Sequence, residues 1–158
     1  MQINIAVCDD EIQQVQYIKF LVNKWIDENN IAPTVEMFDS AENFMLSWSE
    51  KNKFDILLLD IEMDGQSGME LAREIRQSDN KLVIIFITGY TDYISDGYDV
   101  SAMHYLIKPV KENKLFEVLD KAVKTLEKQP EFLILTINRE DILIPLQNII
   151  YIESSLLT

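Results

Sequence analysis

Phe54-Asp55-Ile56-Leu57-Leu58-Leu59-Asp60-Ile61-Glu62-Met63-Asp64-Gly65 decides the fold. Four consecutive aliphatic residues, Ile56 to Leu59, run into a carboxylate, Asp60, and Gly65 stands five residues after it. A short, unbroken apolar run bounded by turn residues suits a strand covered on both faces, as in the middle of a parallel sheet. A carboxylate at the C-terminal end of such a strand sits at the sheet edge where open α/β folds place their ligands. Taken alone, the segment fits equally well an aspartate that merely begins a loop, so the flanking chain decides.

Upstream, Ile3, Ile5 and Val7 alternate with Asn4, Ala6 and Cys8 and lead into Asp9-Asp10-Glu11: a first strand carrying three acids to its C-terminal end. Val15, Ile18, Leu21, Val22, Trp25 and Ile26 then fall at helical spacing. Thr34 to Phe38 reads as a short strand, and Ser40 as the cap of a helix whose apolar face is Phe44, Met45 and Trp48. Downstream, Gly65 and Gly68 mark a turn. Met69, Leu71, Ala72 and Ile75 predict a helix with Glu70, Arg73, Glu74 and Arg76 on its outer face. Leu82 to Ile87 is a second fully apolar strand, ending in Thr88-Gly89. Tyr90 to Tyr98 reads as a short, weakly patterned helix, and Ala102 to Ile107 as a fifth strand ending in Lys108-Pro109. Leu115, Val118, Leu119, Ala122, Val123 and Leu126 give a last helix. Five alternations of strand and helix predict an α/β fold: a five-stranded parallel sheet, doubly wound with helices on both faces.

Residues 127–130, Glu-Lys-Gln-Pro, break this rhythm and read as a linker between domains at 1–126 and 131–158. Beyond them, Phe132 to Ile137, a turn at Asn138-Arg139-Glu140-Asp141, and Ile142 to Ile144 form β-hairpin material with no helix between the strands.

With 158 residues and 47% hydrophobic content, the chain supports a sizeable core. Its 27 acidic and 14 basic residues give a net charge of −13, which disfavours nucleic acid and anionic membrane. Residues 127–158 hold five acids against Lys128 and Arg139, so DNA binding is not expected of this chain alone. A single cysteine, Cys8, excludes an internal disulfide and fits a reducing cytoplasm. No apolar run is long enough to span a membrane, and the N-terminus lacks the charged start of a secretion signal.

In a parallel sheet the strand ends bearing Asp9, Asp10, Asp60, Thr88 and Lys108 share one edge. Three crowded carboxylates raise one another's pKa unless a cation lies among them. Oxygen ligands with room for water suit Mg²⁺ better than a soft metal. Lys108 offers a mobile positive charge for a phosphoryl oxygen, Thr88 a hydroxyl donor, and Asp60 a nucleophile.

On these pieces, together with Met63-Asp64-Gly65 and Gly68, residues 1–126 resemble the receiver domain of two-component response regulators, a flavodoxin-like fold. The resemblance implies that Asp60 accepts phosphate from a sensor histidine kinase. It also implies Mg²⁺ held by Asp10, Asp60, Asp9 (mostly through water) and the Glu62 carbonyl, and a cis Lys108-Pro109 bond. Thr88 and the aromatic Tyr105 would act as the switch, Glu62 and Tyr90 would tune phosphate lifetime, and output would run through a homodimer. Asp64 departs from the family, which usually has proline after that methionine. Residues 131–158, with Ile144-Pro145-Leu146-Gln147-Asn148-Ile149-Ile150-Tyr151-Ile152-Glu153-Ser154, resemble the opening of a LytTR-type DNA-binding domain. DNA would then be contacted only through further sequence beyond Thr158, making the whole a transcriptional regulator rather than a stand-alone enzyme.

Two other classes compete. A haloacid-dehalogenase-type phosphatase also pairs an aspartyl nucleophile with Mg²⁺ and an acid two residues on, where Glu62 stands, but the expected N-terminal strand pattern is absent. A pseudo-receiver would have lost phosphorylation, yet all five site residues are intact. The sole histidine, His104, reads as a strand residue facing a helix, Cys8 as a small buried hydrophobe, and Trp25 and Trp48 as core. Asp92, Asp96 and Asp99 read as a solvated face.

Overall fold

A computed structural model describes residues 2–51, 54–89, 99–128 and 132–145. The chain divides into two compact units, with the boundary between Ala122 and Val123.

In the first unit, β1 (Gln2–Cys8), β2 (Ala32–Phe38), β3 (Ile56–Leu59), β4 (Val83–Thr88) and β5 (His104–Ile107) form one sheet in the order β2-β1-β3-β4-β5. Every neighbouring pair is parallel. Such an order needs right-handed crossovers, supplied by α1 (Ile12–Asn29), α2 (Ala41–Lys51) and α3 (Gly68–Arg76), with α4 (Glu112–Lys128) after β5. The reversal of strand order between β1 and β3 creates the crevice in which open α/β sheets bind ligands.

The central strands are apolar because both faces are covered. Ile56 to Leu59 and Val83 to Ile87 are all buried. Pleating sends Ala6, Cys8, Leu57, Leu59, Ile84 and Phe86 into a core with Phe44 of α2 and Leu71, Ala72 and Ile75 of α3. The alternate residues turn to the opposite face, where α1 and α4 contribute Val15, Ile18, Val22, Leu115, Val118 and Leu119 to the core. Trp25 Nε1 donates to Asp120 Oδ1 at 2.9 Å, tying α1 to α4. Ser40 caps α2 through the Asn43 N–H, as its sequence position predicts, and Ser67 caps α3 through that of Glu70.

Three expectations change. His104 is exposed on the edge strand β5, not turned toward a helix. Arg76 does not belong to a solvated helix face. It is half-buried, and its guanidinium donates to the carbonyls of Val100 (2.6 Å), Asp79 (3.1 Å) and Ser101 (3.5 Å), pinning the turn that enters β5. Burial lowers its pKa, partly countered by Asp79. Glu127 and Lys128, read as linker, are the last residues of α4. Trp25 is core as expected, while Trp48, also expected in the core, is only partly buried at the edge of the cluster formed by Phe44, Leu57 and Phe86. Asp99 is exposed, whereas the helix expected over 90–98, with Asp92 and Asp96, lies outside the described residues.

In the second unit, β6 (Phe132–Ile137) and β7 (Glu140–Pro145) form an antiparallel hairpin. The two-residue turn puts Asn138 and Arg139 at φ 56° and 68°, as a primed hairpin turn requires. Thr136 Oγ1 donates to its cross-strand partner Asp141 at 2.7 Å.

Candidate phosphoacceptor site

The sheet edge brings together the predicted charges. Asp9 follows β1, Asp60 follows β3, and Lys108 follows β5. Lys108 Nζ lies 2.9 Å from Asp9 Oδ2 and 3.2 Å from Asp60 Oδ2, bridging the two carboxylates. Asp9, Asp10 and Asp60 each offer an oxygen within 4.8 Å of the others. Asp9 and Asp60 are buried, while Asp10 is partly exposed.

Burial, then the charge of Asp9, push the Asp60 carboxyl up to about 7, against the opposing pull of Lys108 and a hydrogen bond from the Glu62 main chain. Burial alone would lower the Lys108 pKa. The hydrogen bond and charge of Asp9, with those of Asp60, outweigh that and raise it. One ammonium among three carboxylates leaves excess negative charge, which a divalent cation would neutralise. The donor set fits Mg²⁺, being hard oxygen throughout. The nearby sulfur is not a competing ligand: Cys8 is buried against Ser40 O and Met63 Sδ, and burial with Asp9 nearby pushes its thiol up to about 12. Cys8 is the inert hydrophobe its sequence context predicts.

A cleft of about 750 Å³ opens over these groups, lined by Asp10, Asp60, Glu62, Asp64, Gly89 and Lys108 among others. Glu62 is exposed at its rim. Thr88 is fully buried just behind the Gly89 wall, and its carbonyl accepts the Lys108 N–H at 2.9 Å. The Lys108-Pro109 peptide is cis, as expected. Tyr105 is half-buried, paired in register with Phe86 and stacked on its ring at 5.2 Å. Phe86 lies two residues before Thr88 on β4, so the hydroxyl, the phenyl ring and Tyr105 occupy one face of the sheet. Tyr90 lies outside the described residues.

The loop after Asp60 is held by residues whose roles composition did not reveal. At Gly68 an added Cβ would come within 1.9 Å of the Asp60 carbonyl oxygen, so only glycine permits α3 to start so close to the site. Gly65 adopts φ 78°. Next to it the Gln66 N–H donates to Glu42 Oε1 at 3.1 Å, and hydrogen bonds from the Glu42 and Gln66 main chain keep the Glu42 carboxyl below its usual range. The Asp64 N–H donates to Asp10 Oδ2 at 2.9 Å. Glu42 sits far away in sequence on α2, and only the folded crossover reveals it.

Residues 5–120 match the response regulator receiver domain, and the chain belongs to that family. It is 30% identical over 82% of its length to the sensory transduction protein LytT of Bacillus anthracis, covering 50% of that protein. It is 30% identical over 75% of its length to a positive alginate biosynthesis regulatory protein of Pseudomonas aeruginosa, covering 46% of it. The chain thus spans about half the length of the curated relatives it matches. Among solved structures, the response regulatory domain of MrkE from Klebsiella pneumoniae superposes with a TM-score of 0.71 at 27% identity, over 80% of this chain and 100% of that one. The response regulator TrrA of Thermotoga maritima, solved with Mg²⁺ and BeF, matches with a TM-score of 0.66 at 30% identity, over 76% and 98%.

Proposed function

We propose that this chain is the phosphoacceptor half of a transcriptional response regulator, taking a phosphoryl group from a sensor histidine kinase onto Asp60. The observation that carries the reading is the Lys108 ammonium bridging Asp9 and Asp60, with Asp10 beside them. An Asp60 oxygen forms a bond to phosphorus as the bond from phosphorus to the donor imidazole nitrogen breaks. Lys108 turns from the carboxylates to a phosphoryl oxygen. Asp10, Asp60, the Glu62 carbonyl and (through water) Asp9 would hold a Mg²⁺ ion, which would supply positive charge for the phosphoryl oxygens. Such an ion would also favour the ionised form of Asp60, which burial otherwise opposes.

The Thr88 hydroxyl is drawn toward the phosphoryl group and Tyr105 follows on the same face, biasing an existing two-state balance toward a homodimer. The relatives' extra length and their names, with the apolar hairpin β6–β7, support a LytTR-type DNA-binding domain beyond Thr158 as the output in a cytoplasmic regulator. The chain acts as a switch and not as a stand-alone enzyme. The phosphatase alternative is disfavoured by the family match across 5–120. An intact Asp60-Lys108 pair disfavours the pseudo-receiver.

Acetyl phosphate with Mg²⁺ should add one phosphoryl group, detected by intact mass, and Asp60→Asn should abolish it. Phosphorylation that persists in Asp60→Asn or in EDTA overturns the assignment.

A further inference from the structure

We infer that Asp64 is a determinant of cation binding at this site, acting through both its main chain and its carboxylate. The inference rests on reading Asp9, Asp10 and Asp60 as a Mg²⁺ site. Asp64 stands where the family usually has proline, and proline has no N–H to give. Here that N–H is used: it donates to Asp10 Oδ2 at 2.9 Å. Asp10 is the most exposed of the three acids and, unlike Asp9 and Asp60, makes no ion pair with Lys108. The Asp64 N–H therefore fixes a carboxylate that Lys108 does not hold. One oxygen is engaged by the loop, so the carboxylate has less side-chain freedom to lose when a cation binds.

The Asp64 side chain adds a separate effect. It is exposed and lines the same cleft as Asp10, Asp60 and Glu62, which places a further negative charge at the mouth of the site. That charge attracts a divalent ion across solvent, so its contribution should fade with salt. The loop carrying it is anchored independently, by the Gln66 N–H on Glu42 and by the Gly68 N–H on the Ile61 carbonyl, so changes at Asp64 need not displace Asp60.

The two effects separate in a pair of substitutions. Asp64→Ala keeps the N–H and loses the charge, whereas Asp64→Pro loses both. Calorimetric titration of the full chain with MgCl₂ should show Asp64→Ala binding about threefold more weakly at low salt, with the difference closing near 0.5 M NaCl. Asp64→Pro should bind about threefold more weakly still at either salt, the loss of one oriented, charge-assisted hydrogen bond. Circular dichroism checks that both variants are folded. Equal affinities for the unsubstituted chain and both variants overturn the inference while leaving the Mg²⁺ site in place. Equal affinities for Asp64→Ala and Asp64→Pro overturn the main-chain half alone. Absence of Mg²⁺ binding by the unsubstituted chain overturns the inference and the reading beneath it together.

Discussion

In β3, Ile56, Leu57, Leu58 and Leu59 are no more than 1% exposed, whereas in the hairpin the paired residues Ile134 and Leu143 stand 62% and 63% exposed. Both regions are written in isoleucine and leucine, and both form good ladders. They differ in what covers them. Crossover helices lie on both faces of β3, while Ile134, Ile137, Ile142 and Leu143 on β6 and β7 remain open. Local composition sets the strand, but only tertiary coverage turns apolar area into stability. An apolar pair this exposed therefore adds little to the stability of the fold.

The sharpest way to break that contrast is to truncate the same residue type in each region. Leu58→Ala should lower unfolding free energy by about 3 kcal/mol or more, since the closed core leaves a cavity. Leu143→Ala should leave the main unfolding transition within about 0.5 kcal/mol of the original, as surface substitutions do. Urea denaturation followed by circular dichroism reads both. Comparable losses at the two positions would mean that the hairpin is already buried.

A second contrast lies within the site loop. Gly68→Ala forces a Cβ to within 1.9 Å of the Asp60 carbonyl and should cost about 2 kcal/mol, with impaired phosphorylation because Asp60 must move. Gly89→Ala meets nothing within 4 Å and should be close to neutral. Thermal unfolding and acetyl phosphate labelling of the two variants give the comparison. Near-equal behaviour would show that the loop after Asp60 shifts freely.

These positions also mark the boundary of what the chain reveals when read as text. The described strands and helices of the sheet domain were legible because coverage on one or two faces leaves periods of 3.6 or unbroken apolar runs. Asp60, Asp9, Asp10 and Lys108 were legible because parallel topology puts strand ends on one edge. Arg76 was not: its spacing fits a solvated face, yet a long side chain can bend back to carbonyls that only the fold brings near. Glu42 and the Asp64 N–H escaped for the same reason, since each acts through main-chain groups that a sequence does not display. His104 was misassigned because a period-2 pattern cannot say that β5 lies at the edge of the sheet.

A third prediction concerns pH. Without metal, Asp60 is raised from its ordinary value to about 7. A carboxyl whose folded pKa exceeds its unfolded one stabilises the fold below the unfolded pKa and loses that stability as pH rises through the folded value. The metal-free chain should therefore lose on the order of 4 kcal/mol between about pH 4 and pH 7 from this group, about 1.4 kcal/mol for each pH unit crossed, which Asp60→Asn removes. Mg²⁺ bound at these carboxylates would offset the exposed repulsion, so its thermal stabilisation should be greater at pH 8 than at pH 5.5. An Mg²⁺-induced shift in melting temperature that is as large or larger at pH 5.5 would contradict this account.

The smallest effect expected is association through the hairpin itself. Among the described residues, β6 and β7 pair only with each other, so each has an unpaired edge beside exposed isoleucine and leucine. Edges of this kind recruit a second chain. The area available is small, so the dimer should be weak, with a Kd on the order of 1 mM. It should vanish when the chain ends at Lys128 and weaken with Leu143→Lys, which places a charge on the apolar surface. It should not respond to beryllofluoride, because nothing in hairpin pairing depends on Asp60. A dimer driven through Thr88 and Tyr105 has the opposite signature: it strengthens with beryllofluoride, weakens in Tyr105→Ala, and survives truncation at Lys128. Sedimentation equilibrium on these chains at high concentration, each with and without beryllofluoride, distinguishes the two. Full retention of self-association after truncation would assign it to the sheet domain and refute the hairpin as a docking edge.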